Sequence, residues 1–229
     1  MKFAIIGDLH LKEDIVDIQC EEILKQLQNC LADELIFVGD IFDNRLSVND
    51  ILQKKFLDLL LKIVYSANFR RIFLIVGNHD KSHDENIVNM LDVYGVIQSV
   101  RVIRKYDFIH YENIAYCFLA FFPDRMWKKY LNIMFKELKK ENVHIKRLYL
   151  FSHKTLSQAY FDKSRKRSSK GLSLDLSRFK KIFLGDLHYR QMIGNVSYVG
   201  DFFQENFGED ENKGMLIFDS ADDSVWEVS

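Results

Sequence analysis

Five short clusters of polar residues carry the side chains in this chain that are suited to chemistry. Each follows a short apolar run, and four of the five begin with Gly. The clusters are Gly7-Asp8-Leu9-His10, Gly39-Asp40-Ile41-Phe42-Asp43, Gly77-Asn78-His79-Asp80, Ser152-His153 and Gly185-Asp186-Leu187-His188. Carboxylate oxygen, amide oxygen and imidazole nitrogen form a ligand mixture that Mn²⁺, Fe and Zn²⁺ accept. The chain therefore supplies enough ligands for two divalent ions, and too many for one.

The first three clusters fall where the sequence predicts strands to end. Unbroken apolar runs at 2–6, 35–38 and 72–76 predict strands covered on both faces. Apolar residues at helical spacing predict helices at 13–31 and 48–64 between them. The carboxyl ends of strands in an open α/β sheet meet at one edge, where sites form. The β-α-β-α-β pattern therefore predicts that three clusters meet at one place.

The second half of the chain repeats this arrangement less regularly. Strands are predicted at 102–103, 114–120, 148–151 and 181–184, and a helix at 124–140. The last two of these strands end in the His153 and Asp186 clusters. Segments 196–199, 215–218 and 225–228 are interpreted as closing antiparallel strands. We expect one domain spanning residues 1–229.

Composition indicates an ordinary globular protein. Of its 229 residues 48% are hydrophobic, and the formal net charge is −1, so any nucleic-acid binding must come from a local patch. A basic, Ser-rich segment at 163–170 is a candidate for such a patch, although its composition favours a solvated, mobile loop. Three cysteines without a C-x-x-C pair and no segment of membrane-spanning length favour a cytoplasmic location.

In this order, the clusters resemble the motifs of the calcineurin-like metallophosphoesterases: D-x-H, G-D-x-x-D, G-N-H-D, a later His and G-H-x-H. The resemblance runs from Gly7 to His188. It implies an α/β fold, a four-layer αββα sandwich of mixed sheets with the helices outside. It also implies two divalent metal ions as cofactors, Mn²⁺ before Fe, Zn²⁺ or Mg²⁺.

The resemblance also implies roles for individual residues. Asp8, His10 and His188 would hold the first ion, and Asn78, His153 and Asp186 the second. Asp40 would bridge the two ions. His79 would act as general acid for the leaving oxygen, and Asp43 would orient it through its carboxylate. Asp186 stands where the family usually has His. Its carboxylate would still ligate the second ion, with a preference for harder ions, or would face a water instead.

Local sequence favours a nuclease within this family. The run Gly39–Asp43 is similar to the G-D-x-F-D of SbcD-type DNA repair nucleases, and so is the tail formed by Tyr198-Val199-Gly200-Asp201, Gln204 and Phe207-Gly208-Glu209. Asp201 stands where those nucleases usually have Ser. Asn44-Arg45 replaces the Arg-Gly of protein phosphatases. The resemblance implies a Mn²⁺-dependent DNA exo- or endonuclease of repair or recombination. It further implies DNA, an SMC-like ATPase of the SbcC type and a second copy of the chain as partners.

Two other functions stay open. One is a phosphoesterase of small molecules or cyclic nucleotides. The other is a non-catalytic, metal-bound interaction subunit that has lost turnover through Asp186, although His79 and Asp43 weigh against it. His83, His110 and His144 fall outside the motifs and are expected to be surface or structural histidines.

Overall fold

The computed structural model describes residues 1–45, 48–66, 69–160, 171–204 and 213–228. Three α-helices are described, α1 (Val16–Gln28), α2 (Asp50–Ser66) and α3 (Asp124–Lys140), together with a short 3₁₀ helix at Met90–Val96. The strands are β1 (Lys2–Ile6), β2 (Glu34–Phe37), β3 (Arg71–Ile75), β4 (Val100–Ile103), β5 (Tyr106–Tyr111), β6 (Ile114–Leu119), β7 (Arg147–His153), β8 (Lys181–Gly185), β9 (Gln191–Ile193), β10 (Val196–Tyr198), β11 (Met215–Asp219) and β12 (Ser224–Val228).

The strands form two six-stranded sheets. The first has the order β12-β11-β1-β2-β3-β4, in which β1 to β4 run parallel and β11 and β12 are antiparallel additions. The second has the order β5-β6-β7-β8-β10-β9. Segment 196–199 was expected to close the sheet as an antiparallel strand, and this is only partly correct. Its strand β10 pairs parallel with β8 and antiparallel with the short β9.

An aromatic core joins the two sheets face to face. Phe73 of β3 stacks on Phe118 of β6 with ring centroids 4.3 Å apart, and Phe3 of β1 lies 5.2 Å from Phe151 of β7. These rings are buried because each central strand has apolar residues on both of its faces.

The helices cover the outer faces of the sheets. Phe56 of α2 packs edge-on against Phe37 of β2, and α1 packs beside α2. On the other side, Trp127 of α3 is fully buried and donates from Nε1 to Ser152 Oγ of β7 at 3.1 Å. The predicted α/β sandwich of four layers, with mixed sheets and the helices outside, is therefore confirmed.

The sequence did not predict strands β5 and β9 or the 3₁₀ helix Met90–Val96. Strand β5 is an edge strand with mostly half-buried residues, and β9 has only three residues. The basic segment 163–170 and the tail residues Phe207, Gly208 and Glu209 lie outside the described residues. Within the described ranges, no helix is both long and apolar enough to cross a bilayer.

Candidate metal centre

The loops that follow β1, β2, β3, β7 and β8 meet at the carboxyl ends of these strands. Asp40 O accepts from the backbone N–H groups of Leu9 at 3.0 Å and His10 at 3.1 Å, which ties the loop after β1 to the loop after β2. Asp186 N donates to Asp8 Oδ1 at 3.0 Å, which ties the second sheet to the first. Each strand supplies its polar side chain at its carboxyl end, as the sequence pattern predicts.

Three oxygen atoms surround one imidazole nitrogen at the centre of this cluster. His153 Nε2 lies 2.9 Å from Asn78 Oδ1, 3.4 Å from Asp40 Oδ2 and 3.6 Å from Asp186 Oδ1. His153 is fully buried, and its Nδ1 lies 2.7 Å from the carbonyl oxygen of Val38. Because a carbonyl only accepts, Nδ1 carries the proton and Nε2 is directed at the oxygens. All four residues assigned to the second ion, Asp186 included, are thus brought together.

The ligands assigned to the first ion lie beside this group. The rings of His10 and His188 have centroids 5.0 Å apart, and ligand atoms of His10, Asp40 and His79 lie within 4.8 Å of one another. Asp8 is 1% exposed, and its Oδ2 has no hydrogen-bond donor among the described residues. A buried carboxylate oxygen without a donor is costly unless a cation balances it. The residues present therefore fit a divalent ion.

The electrostatics of the cluster also favour a cation. Burial opposes the charged form of His153, but Asp40, Asp8 and Asp186 outweigh it and raise the pKa of His153 to about 10. Burial likewise disfavours charge on Asp40, yet the neighbouring His153 lowers the pKa of that carboxyl well below its usual range. Burial raises the pKa of Asp8 well above its ordinary value, and Asp40 adds to the effect. A positive charge among these carboxylates is stabilised, whether an imidazolium or a metal ion carries it.

Three of the assigned ligands have strained backbones. His10, Asp40 and Asp186 have φ angles of 44°, 50° and 79°, in the left-handed region that residues other than Gly rarely adopt. Such strain persists only where the surroundings enforce it, and it is concentrated at functional sites. The turn at each strand end therefore directs a ligand inward at an energetic cost.

His79 is brought to the cluster, but its contact with Asp43 differs from the expected one. The imidazole Nδ1 lies 2.5 Å from the main-chain oxygen of Asp43, not from its carboxylate. The Asp43 carboxylate instead lies 3.8 Å from Nδ1 of His10. His79 N also donates to Asp40 Oδ1 at 2.9 Å. A backbone carbonyl therefore orients His79, and the Asp43 side chain faces His10, which is assigned to the first ion.

Two polar residues near the ligands did not emerge as site residues from the sequence. Asp201 is 1% exposed, and its Oδ2 lies 3.1 Å from Nδ1 of His188. Thr155 donates from Oγ1 to Asp186 Oδ2 at 2.5 Å. The sequence contained one signal, an acidic residue at position 201 where similar chains usually have Ser. His83, His110 and His144 are absent from the groups of candidate ligands found among the described residues.

Known proteins resemble this chain in sequence or in fold. The chain is 25% identical over 235 residues to "Putative phosphoesterase 244L" of Invertebrate iridescent virus 6, covering 99% of this chain and 78% of the viral one. A dimetal phosphatase of Danio rerio has the same fold, with a TM-score of 0.59, 10% identity and coverage of 95% and 91% of the two chains. GAP50, described as the anchor in the inner membrane complex of Plasmodium, has a TM-score of 0.57, 14% identity and coverage of 95% and 80%. The two structures show the fold alone, since proteins with one fold differ in function.

The family model described as "Calcineurin-like phosphoesterase" matches residues 1–166. That range holds four of the five polar clusters and covers well over half of the chain. Because the family match agrees with the convergence of buried carboxylates and imidazoles, we conclude that this chain belongs to the calcineurin-like phosphoesterase family and is a metal-dependent phosphoesterase.

Proposed function

We propose that the protein is a two-metal phosphodiesterase that cleaves DNA with Mn²⁺, as an exo- or endonuclease of repair or recombination. The observation that supports the metal chemistry best is His153 Nε2, which faces oxygens of Asn78, Asp40 and Asp186 within 3.6 Å. A site of mixed oxygen and nitrogen ligands suits Mn²⁺. We further propose that the protein acts in the cytoplasm of the cell that encodes it or, if it is a phage protein, in the cytoplasm of the host.

Two groups of ligands would hold the ions. Asp8, His10 and His188 would hold one, Asn78, His153 and Asp186 would hold the other, and Asp40 lies between the groups. Bound divalent ions supply Lewis-acid polarisation of a phosphoryl oxygen and an activated water as nucleophile. Thr155 fixes Asp186 by its hydroxyl, and the carbonyl of Val38 fixes His153, so both side chains are oriented before an ion arrives.

His79 supplies a proton to the leaving oxygen. Its Nδ1–H donates to the carbonyl oxygen of Asp43, which holds the ring in place. Its Nε2 lies 4.0 Å from Asp40 Oδ2, and the side chain is about one third exposed, so a substrate can reach it. In the imidazolium form, the Nε2 proton is available to an alkoxide leaving group.

DNA as the substrate rests on local sequence. The Gly39–Asp43 run and the Tyr198–Asp201 tail are similar to SbcD-type nucleases, and the Arg-Gly of protein phosphatases is absent after Asp43. The same similarity supports an SMC-like ATPase of the SbcC type and a second copy of this chain as partners of the proposed nuclease.

A panel of substrates with Mn²⁺ tests the proposal. We expect cleavage of linear single-stranded or double-stranded DNA, and no cleavage after metal removal by a chelator. Cleavage of nucleotides, cyclic nucleotides or bis-p-nitrophenyl phosphate with all DNA left intact would instead show a small-molecule phosphoesterase. No turnover of any substrate, with metal bound, would show an interaction subunit.

A comparison of two substrates with different leaving groups tests the role of His79 separately. A general acid matters for an alkoxide, as in DNA, and little for p-nitrophenolate, which leaves without a proton. We expect His79→Ala to lower the rate on DNA by about 10²–10⁴-fold and the rate on bis-p-nitrophenyl phosphate far less. Equal losses on both substrates would contradict the role of His79 as proton donor.

A further inference from the structure

A segment outside the matched motifs runs between two ligand loops. Asp201 N donates to the carbonyl oxygen of His188 at 3.3 Å, and Phe202 N donates to the carbonyl oxygen of Asp8 at 3.4 Å. Gly200 has a φ of 74°, and a Cβ there would lie 3.1 Å from the carbonyl oxygen of His188. Segment 200–202 is therefore packed tightly against the backbone of both loops.

The Asp201 side chain reaches the same histidine that its backbone contacts. Asp201 Oδ2 lies 3.1 Å from His188 Nδ1 and 3.5 Å from Lys213 Nζ, and the Asp201 side chain is only 1% exposed. His188 itself is 44% exposed. Asp201 is thus the buried member of the pair and His188 the more exposed one, so the carboxylate is placed to restrict the orientation of the imidazole.

The charge of this carboxylate also favours one protonated form of His188. The negative charge of Asp201 lies 3.1 Å from Nδ1 and stabilises a proton on that nitrogen, which leaves the lone pair of the neutral ring on Nε2. Ligand atoms of His10, His188 and Asp201 lie within 4.8 Å of one another, so this ring stands at the assigned site of the first ion. A carboxylate behind a ligating imidazole orients it and makes it more basic.

We propose that Asp201 is a positioning residue of the metal centre, which holds His188 in the Nδ1-protonated form with Nε2 available as the ligand. The inference rests on the proposed two-metal function, and it adds a residue that lies beyond the matched motifs. As a consequence, Asp201 increases the affinity of the site for an ion through His188, without contacting the ion itself.

The tautomer of His188 can be measured without any metal. In protein labelled with ¹⁵N-histidine, long-range ¹H–¹⁵N correlation spectra distinguish the two protonated forms, and His188→Gln assigns the signals. We expect the wild-type His188 to carry its proton on Nδ1, and Asp201→Ala to shift it toward the Nε2 form. A wild-type His188 with its proton on Nε2 would overturn the inference.

Metal affinity gives the second readout. Calorimetric titration of the metal-free protein with Mn²⁺ should show two binding events in the wild type. One should weaken by about 10–100-fold in Asp201→Ala, and less in the isosteric Asp201→Asn, whose amide oxygen can still accept a hydrogen bond from Nδ1–H of His188. Asp222→Asn is the matched control, because it removes the same charge at an exposed turn and keeps an acceptor for Ser224 N.

The outcomes separate this inference from the proposed function. A wild type that binds no Mn²⁺ would overturn the proposed function, while the tautomer measurement still decides the role of Asp201. Two binding events in the wild type with superimposable curves for both Asp201 variants would overturn the role of Asp201 alone. Thermal unfolding of the metal-free variants shows whether they are folded. If they are not, the tautomer of His188 measured in the wild type still tests the inference.

Discussion

Asp186 places a negative charge in the cluster where the family usually has a neutral His. A His at this position would contribute a neutral nitrogen, whereas the carboxylate places Oδ1 3.6 Å from His153 Nε2. The hydroxyl of Thr155 donates to its other oxygen, so the side chain is directed at the cluster and held there. An additional carboxylate favours ions that prefer oxygen ligands.

Replacing Asp186 by His should therefore alter the choice of metal. We expect Asp186→His to lower the affinity for Mn²⁺ relative to Zn²⁺ by about tenfold, because an imidazole suits Zn²⁺ and removes a negative charge. Competition titrations of the two ions against the metal-free protein measure the ratio. Thr155→Val keeps every ligand and serves as control, with a smaller change. An unchanged ratio in Asp186→His would show that this carboxylate does not ligate.

The loops that carry the ligands require glycine for space. A Cβ on Gly185 would lie 2.5 Å from the carbonyl oxygen of Val38, 2.8 Å from His153 Nδ1 and 3.2 Å from Asp8 Oδ2. At Gly39, with a φ of 102°, a Cβ would overlap the ring of His153. These glycines allow one of the site's loops to approach the side chains of another.

A methyl group at Gly185 should damage both stability and metal binding. Gly185→Ala must displace His153 or the backbone at Val38, and we expect a loss of about 1–3 kcal/mol in the free energy of unfolding, with weaker Mn²⁺ binding. Urea unfolding and calorimetry measure the two effects. Gly95→Ala is the control, since a Cβ there has its nearest neighbour at 3.6 Å. Equal stabilities of both variants would contradict the packing described here.

Two buried lysines fix the segment that packs beside His153. Lys81 Nζ donates to the carbonyl oxygen of Phe121, and Lys154 Nζ donates to the carbonyl oxygen of Phe122 at 3.0 Å. The ring of Phe121 in turn lies 6.0 Å from that of His153. Burial lowers the pKa of Lys81 from 10.5 to about 8, so this contact depends on pH.

The titration of Lys81 gives a signed prediction. Between about pH 8 and 10.5 the unfolded chain holds this proton more often than the folded one, so stability gains a contribution that rises with pH. We expect wild type to gain stability relative to Lys81→Met across this window, by at most about 1.4 kcal/mol per pH unit. Urea unfolding at several pH values measures the difference, with Lys136→Met as an exposed control. A difference in the free energy of unfolding that does not change with pH would contradict the burial of Lys81 and its lowered pKa.

At the scale of the whole molecule, the sequence predicts the sandwich and the convergence of its polar strand ends. Central strands such as Lys2–Ile6 are apolar on both faces, so their pattern is unambiguous. The two edge strands of the second sheet escape prediction, because Tyr106–Tyr111 is mostly half-buried and Gln191–Ile193 has only three residues. The contacts of Asp43 and Asp201 also escape it, since a pattern of residue types does not specify which atom of a side chain or backbone meets which neighbour.

Anomalous diffraction from crystals grown or soaked with Mn²⁺ tests the central claim most directly. The account predicts two peaks, one among the side chains of Asp40, Asn78, His153 and Asp186, the other among those of Asp8, His10, Asp40 and His188. The distance from each peak to Asp186 and Asp201 would then show which carboxylate ligates and which one only orients. Anomalous density absent from this cluster, or found only elsewhere on the molecule, would contradict the account.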